Sequence, residues 1–120
     1  MGFKDESTFD KRRQLSDKIK QQYPNKVPVI VEAYQNKGEP LVLGNIKYLI
    51  NTTDSIHKLL YEVRQKITSL KKDEALFLFC NSEKGSILAP VSSTIGQIYE
   101  KYADADGLLY FTVSREQVYG

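Results

Sequence analysis

A chain of 120 residues is long enough for one domain with a real core and too short for two. Hydrophobic residues at 41% and charged residues at 27% are ordinary for a globular protein, and a net charge of +2 argues against a general nucleic-acid binder. One cysteine, Cys80, excludes an internal disulfide and a multi-cysteine metal site, and no apolar run approaches the ~20 residues that span a bilayer, so a cytoplasmic protein is expected.

Residues 1–8 are polar and read as a loose turn or short helix, not as a secretory signal. Met1-Gly2 suggests myristoylation, but Glu6 stands where that pattern wants Ser or Thr. Phe9 to Gln22 reads as a helix in which Leu15, Ile19 and Tyr23 recur every fourth position, a narrow stripe expected to pack inward. Its other faces carry Lys11, Arg12, Arg13, Lys18 and Lys20. Such a cluster is first of all a solvated helix face, ahead of a nucleic-acid contact or a docking surface for acidic partners. Tyr23-Pro24 ends the helix, because proline disfavours helical geometry in the residue before it.

Val27 to Tyr34 is a predicted strand with Val27, Val29, Val31 and Ala33 on one face. Pro28 has no N–H for a ladder and belongs at the strand's start or beside a gap in pairing. Gln35 to Glu39, with Gly38, is a turn. Leu41 to Ile50 resumes as a strand interrupted near Gly44-Asn45, with Lys47-Tyr48-Leu49-Ile50 its best part; the two strands form a predicted hairpin. Asn51-Thr52-Thr53 fits a glycosylation sequon but, without a secretory route, reads as a turn.

Thr53-Asp54-Ser55 offers N-caps for the clearest helix, in which Ile56, Leu59, Leu60, Val63 and Ile67 make one apolar face. Ala75 to Cys80 is a short apolar strand, and Asn81 to Val91, with Gly85 and Pro90, reads as a loop. Thr94 and Gln97 form a capping box for a short helix showing Ile95, Ile98, Tyr99 and Tyr102 on one side. Asp104 to Gly107 turns the chain into Leu108 to Val113, apolar enough for a strand buried on both faces. A short polar tail ends on Gly120. That glycine either suits a reactive carboxylate entering a narrow active site, since it lacks a Cβ, or is merely where the sequence stops.

Helix, strand, strand, helix, strand, helix, strand predicts an α+β fold, a β-grasp with a four-stranded mixed sheet. The last strand would lie centrally, parallel to the first.

The residues for nucleophilic catalysis are missing. His57 is expected on the polar side of its helix, Cys80 behaves as a small buried hydrophobe, and no phosphate loop or metal-ligand spacing occurs. No catalytic or metal-binding residue is assigned, and an enzyme is not expected. Binding is better supported. An edge strand at Lys47–Ile50 would offer its backbone to an extended peptide, with Lys47 and Leu49 facing the N-terminal helix and Tyr48 and Ile50 the long helix. Two apolar pockets flanked by Lys26, Lys47, Arg64 and Lys66 would take a peptide with two hydrophobic anchors and acidic flanks. Ordinary core residues with a charged rim are an equal reading.

Several ordered blocks carry a resemblance: Phe9 to Arg13, Lys18-Ile19, Tyr23 to Glu32, Lys47 to Ile50, Asp106 to Tyr110 and Tyr119-Gly120. Together they resemble the autophagy ubiquitin-like modifiers, the microtubule-associated protein light chain 3 and GABA-receptor-associated protein groups, over nearly the whole chain. The resemblance implies an N-terminal helical extension over residues 1–24 and a ubiquitin-like core with its conjugation tail over 25–120. It implies that E1-like and E2-like enzymes activate Gly120 and link it to phosphatidylethanolamine, with no other cofactor. It implies a cysteine protease that processes or deconjugates, a location on autophagosome membranes through the lipid, and cargo receptors with hydrophobic-acidic peptides; the alternative reading is an unconjugated adaptor that binds peptides or tubulin through its basic helix. By position, the first peptide pocket matches Ile19, Pro28, Lys47, Leu49 and Leu108. The second matches Tyr48, Ile50, Leu59 and Val63, with Lys26, Arg64 and Lys66 for acidic groups. Three positions depart: Leu15 stands for an acidic residue beside the first pocket, Glu62 for a leucine at the second, and the Asn81–Pro90 loop is longer. No residue follows Gly120 where many relatives carry some.

Overall fold

The computed structural model describes residues 2–34, 41–44 and 46–115. The Gln35–Glu39 turn and the Tyr119-Gly120 tail of the sequence reading lie outside them. In chain order the described elements are α1 (Phe3–Glu6), α2 (Phe9–Gln22), β1 (Lys26–Ala33), β2 (Lys47–Asn51), α3 (Ile56–Gln65), β3 (Phe77–Ser82), β4 (Gly85–Leu88), α4 (Ile95–Tyr102) and β5 (Leu109–Ser114). One mixed sheet runs β2-β1-β5-β3-β4. Antiparallel β1–β2 pairs Val29 with Tyr48, parallel β1–β5 pairs Val29 with Leu109, and antiparallel β3–β5 pairs Cys80 with Phe111. The apolar run at the end of the chain is therefore the middle strand, as its continuous hydrophobicity requires. Hairpin, crossing helix and parallel return strand give the expected β-grasp.

The sheet has five strands instead of four. Asn81 to Val91 is not all loop: β3 continues to Ser82, and Gly85, at φ +110°, turns the chain back into β4. Polar contacts hold this hairpin where apolar ones are missing. Ser86 Oγ donates to Asn81 Oδ1 at 2.6 Å, and Asn81 Nδ2 donates to Thr112 Oγ1 at 2.6 Å on the neighbouring strand. A run of Asn, Ser, Glu, Lys, Gly and Ser has no period-2 hydrophobicity, so the pattern was silent.

Alternation along each strand sorts side chains between two faces. Val27, Val29, Val31, Ile50, Leu109, Phe111 and Val113 turn toward α3 and α4, where Ile56, Leu59, Val63, Ile95 and Ile98 complete the main core. Each such fully buried side chain contributes ~1.5–3 kcal/mol relative to exposure. Ser55 caps α3, its side chain accepting from Lys58 N at 3.1 Å, and Thr94 and Gln97 form the expected box on α4. The α3 helix stops at Gln65, yet Ile67 remains buried and bridges Leu43. That bridge, with Gly44 N donating to Lys66 O at 2.8 Å, draws the chain before β2 toward the end of α3 instead of extending the strand.

The opposite face carries α1 and α2, and here the sequence reading needs correction. The stripe Leu15, Ile19, Tyr23 does not supply the buried face of α2: the first two are half-buried and Tyr23 is exposed. Arg12 and Ser16 are buried instead. Arg12 therefore leaves the solvated cluster in which the sequence placed it. Its Nε donates to Asp106 Oδ2 at 2.8 Å, and a second nitrogen reaches the carbonyls of Lys4 and Ser7. The other acceptor positions of Asp106 take Tyr110 Oη at 2.5 Å and Leu108 N at 2.9 Å, while its carbonyl takes Ser16 Oγ. A buried carboxylate with this many donors is matched in charge and in hydrogen bonds. Gly107 follows at φ +87°, and any Cβ there would strike the Ser16 side chain.

Candidate functional site

β2 is an outer strand of the described sheet. Val31 N donates to Ile46 O, which fixes the hydrogen-bonded pairs of β1 and β2 as Val29 with Tyr48 and Val27 with Ile50. Leu49 lies between them, so its own N–H and C=O turn outward, away from β1. The same phase sends the missing N–H of Pro28 toward β5, where the ladder begins one residue later at Val29. Proline sits beside a gap in pairing, as expected.

Lys47 and Leu49 face the N-terminal helices. Leu49 pairs with Pro28, and Leu108 precedes the residue opposite Val29, so Leu49, Pro28 and Leu108 lie side by side across three strands. Leu108 and Pro28 are buried and form the floor, Ile19 of α2 is half-buried, and Leu49 keeps 37% of its surface open. The Lys47 ammonium lies 5.5 Å from the centre of the Phe3 ring. Beside it opens a hollow of about 340 Å³, lined by Phe3, Lys11, Arg12, Leu15, Ile46 and Lys47 among others. Leu15 and Phe3 thus border this side of the edge, and Phe3 was not singled out from the sequence. Its signal was a lone aromatic in a polar stretch.

Tyr48 and Ile50 face α3, on the other side of the sheet. Ile50, Leu59 and Val63 are 5%, 0% and 0% exposed and form a buried apolar floor beside Tyr48. Tyr48 is half-buried, and burial followed by the negative charge of Glu62 pushes its phenol above its ordinary pKa. Lys26 stands at the Asn51 end of the edge, where the two residues are partners, and Lys66 caps α3 near Gly44 at the other end. The Arg64 guanidinium is turned to the carbonyls of Lys71 and Lys72, at 3.2 and 3.0 Å. It is committed to the loop after α3 and is not aimed at the edge.

The remaining chemistry is sparse. Cys80 is buried and its thiol is pushed up to about 12 by burial, which suppresses the thiolate. His57 is exposed. Among the described residues no group of three or more His, Cys, Asp or Glu is placed to hold a metal, and no helix is long and apolar enough to cross a membrane.

Comparison with known proteins bears on this geometry. The family described as autophagy protein Atg8, ubiquitin like, matches residues 11–120. The autophagy-related protein 8 of Dictyostelium discoideum is 36% identical over 118 residues, which are 98% of this chain and 93% of that protein. The proteins of the same name from Neosartorya fischeri and Aspergillus niger are each 33% identical over 118 residues, 98% of this chain and 95% of theirs.

Proposed function

The chain belongs to the Atg8 family of ubiquitin-like autophagy proteins, and from that premise we propose that it is a modifier joined through the carboxyl group of Gly120 to phosphatidylethanolamine. In this reading E1-like and E2-like enzymes make the conjugate, and a cysteine protease processes or releases it. The attached acyl chains hold the protein on autophagosome membranes, each buried CH₂ contributing ~0.8 kcal/mol. Once there, it recruits cargo receptors through short hydrophobic-acidic peptides that add a strand to β2.

One observation carries the peptide half of this reading: Leu49 turns its backbone outward on an edge whose neighbouring side chains part to opposite faces. A peptide strand laid along it presents successive side chains to alternate faces. Two anchors, one for each face, must therefore lie an odd number of residues apart. Lys26, Lys47 and Lys66 favour acidic flanks. An unconjugated adaptor that binds tubulin through a basic helix has less support, because Arg12, part of that basic cluster, is buried against Asp106.

Incubation with E1-like and E2-like enzymes, ATP and phosphatidylethanolamine liposomes tests the conjugation. A lipid-sized mass increase is expected, and Gly120→Ala abolishes it while peptide binding persists. No increase with enzymes active on another substrate would overturn it.

A further inference from the structure

The two sides of the β2 edge differ in charge as well as in depth. On α3, Leu59 and Val63 face the core, and Leu60 flanks them on the side of β3, where it lines a hollow with Leu76, Phe77 and Leu78. Helical periodicity puts Glu62 on the other flank, facing β2. Gly44 N bonds Lys66 O, so α3 runs antiparallel to β2, and Glu62 comes level with Tyr48. Tyr48 registers that negative charge.

The cations around Glu62 do not neutralise it. Lys58, one turn before, is paired with Asp54 at 3.3 Å. Arg64 is held by two loop carbonyls, and among the described residues no ion pair joins Glu62 to Lys66. Glu62, half-buried, thus stands beside an apolar floor of Ile50, Leu59 and Val63 that is itself buried. A branched aliphatic anchor would cover that carboxylate and give it no partner. A long side chain with an apolar stem and a cationic head fits better, the stem lying over the floor and the head meeting the carboxylate.

We infer that Glu62 is a specificity-determining residue that makes the α3 side of the edge select a lysine or arginine in the docked peptide over an aliphatic or acidic residue. This rests on the peptide-binding reading above and refines it: acidic flanks are drawn by Lys26 and Lys66 at the two ends, and a cation is drawn to the middle.

The test uses two fluorescein-labelled peptides with acidic flanks and a tryptophan anchor, carrying either Lys or Leu three residues on. Anisotropy titration of the full chain should show the Lys peptide binding about three- to fivefold tighter at low salt. That preference should shrink as salt rises. Glu62→Gln should remove it, and Glu62→Leu should reverse it in favour of the Leu peptide. Leu binding as well as or better than Lys, with a ratio unchanged in both variants, overturns the role of Glu62 and leaves the peptide-binding edge standing. Binding of neither peptide overturns both.

Discussion

The two faces of the sheet are held by different physics. Toward α3 and α4 the buried core is apolar, from Val27 and Val31 to Phe111 and Val113 against Ile56, Leu59 and Ile95. Toward α1 and α2 the buried cluster among the described residues is smaller, Ile30, Leu108 and Tyr110 with Phe3 packed against it. Polar contacts do the rest there: Arg12 with Asp106, Ser16 with the Asp106 carbonyl, Phe3 N with Glu32 and Lys4 with Asp104. Apolar burial is non-directional and tolerates small shifts, whereas a buried ion pair depends on geometry. The polar face is also the one that positions α2 beside the Leu49–Pro28–Leu108 floor. The side of the β2 edge that faces α2 is thus the side fixed by directional bonds.

The largest expected effect tests that contrast. Asp106→Ala strips partners from Arg12, Tyr110 and Leu108 N together and leaves Arg12, a residue 9% exposed, without its carboxylate. Loss of one partner of a buried pair costs about 3–5 kcal/mol, read by urea denaturation. Replacing both charges, as in Arg12→Met with Asp106→Leu, should recover part of that loss, because no unpaired charge remains while Tyr110 Oη and Leu108 N still lack their acceptor. On the apolar face Leu59→Ala should cost about 2–5 kcal/mol and admits no such rescue. If the double variant is as unstable as Asp106→Ala, the polar face is not held by charge pairing. Next in size is Thr94→Ala, which removes the side chain that accepts from Gln97 N at 3.2 Å and should cost about 1 kcal/mol in the same assay.

The contrast also explains what could be read from the chain alone. Period-2 and period-3.6 hydrophobicity mark β1 and α3, and an unbroken apolar run marks β5, because those elements bury what the pattern shows. The same rule misassigned α2, where Leu15 and Tyr23 looked like the inward stripe and Arg12 and Ser16 fill the role. No local signal distinguishes an arginine that will meet a buried Asp106, 94 residues later, from the exposed Arg13 beside it. The hairpin to β4 was hidden for a related reason, since Asn81 and Ser86 pair by hydrogen bonds and not by apolar contact. At the candidate site, strand alternation gave the correct faces for Lys47, Tyr48, Leu49 and Ile50. It could not tell that the floor beside Tyr48 is buried or that Arg64 is turned to the loop, because both depend on how α3 lies on the sheet.

The smallest expected effect is at the exposed rim of the polar face. Lys4 Nζ lies 2.6 Å from Asp104 Oδ1 and 4.6 Å from the Tyr110 ring centre, which ties α1 to the turn before β5. Burial alone would raise the Asp104 carboxyl, but the hydrogen bonds from Lys4 and from Asp106 N outweigh it and hold the group below its ordinary 3.8. A carboxylate with a lowered folded pKa contributes stability that is fully present above its unfolded value and is lost as pH falls through the folded one. Lys4 is half exposed, so solvent screening keeps the contribution to about 1 kcal/mol or less. Wild type should therefore exceed Asp104→Asn by a small, constant margin above about pH 5, and the margin should close as pH falls below the ordinary carboxylate value. Urea titrations of both proteins at a series of pH values measure it, and taking the difference cancels the other acids, Glu74 beside Arg115 among them. A margin that persists unchanged to the lowest folded pH would assign the contact to packing of the lysine stem over Tyr110. A margin that closes on acidification, beside an Asp106 latch that fails on mutation at neutral pH, would place charge pairing at both the buried and the exposed end of the same face.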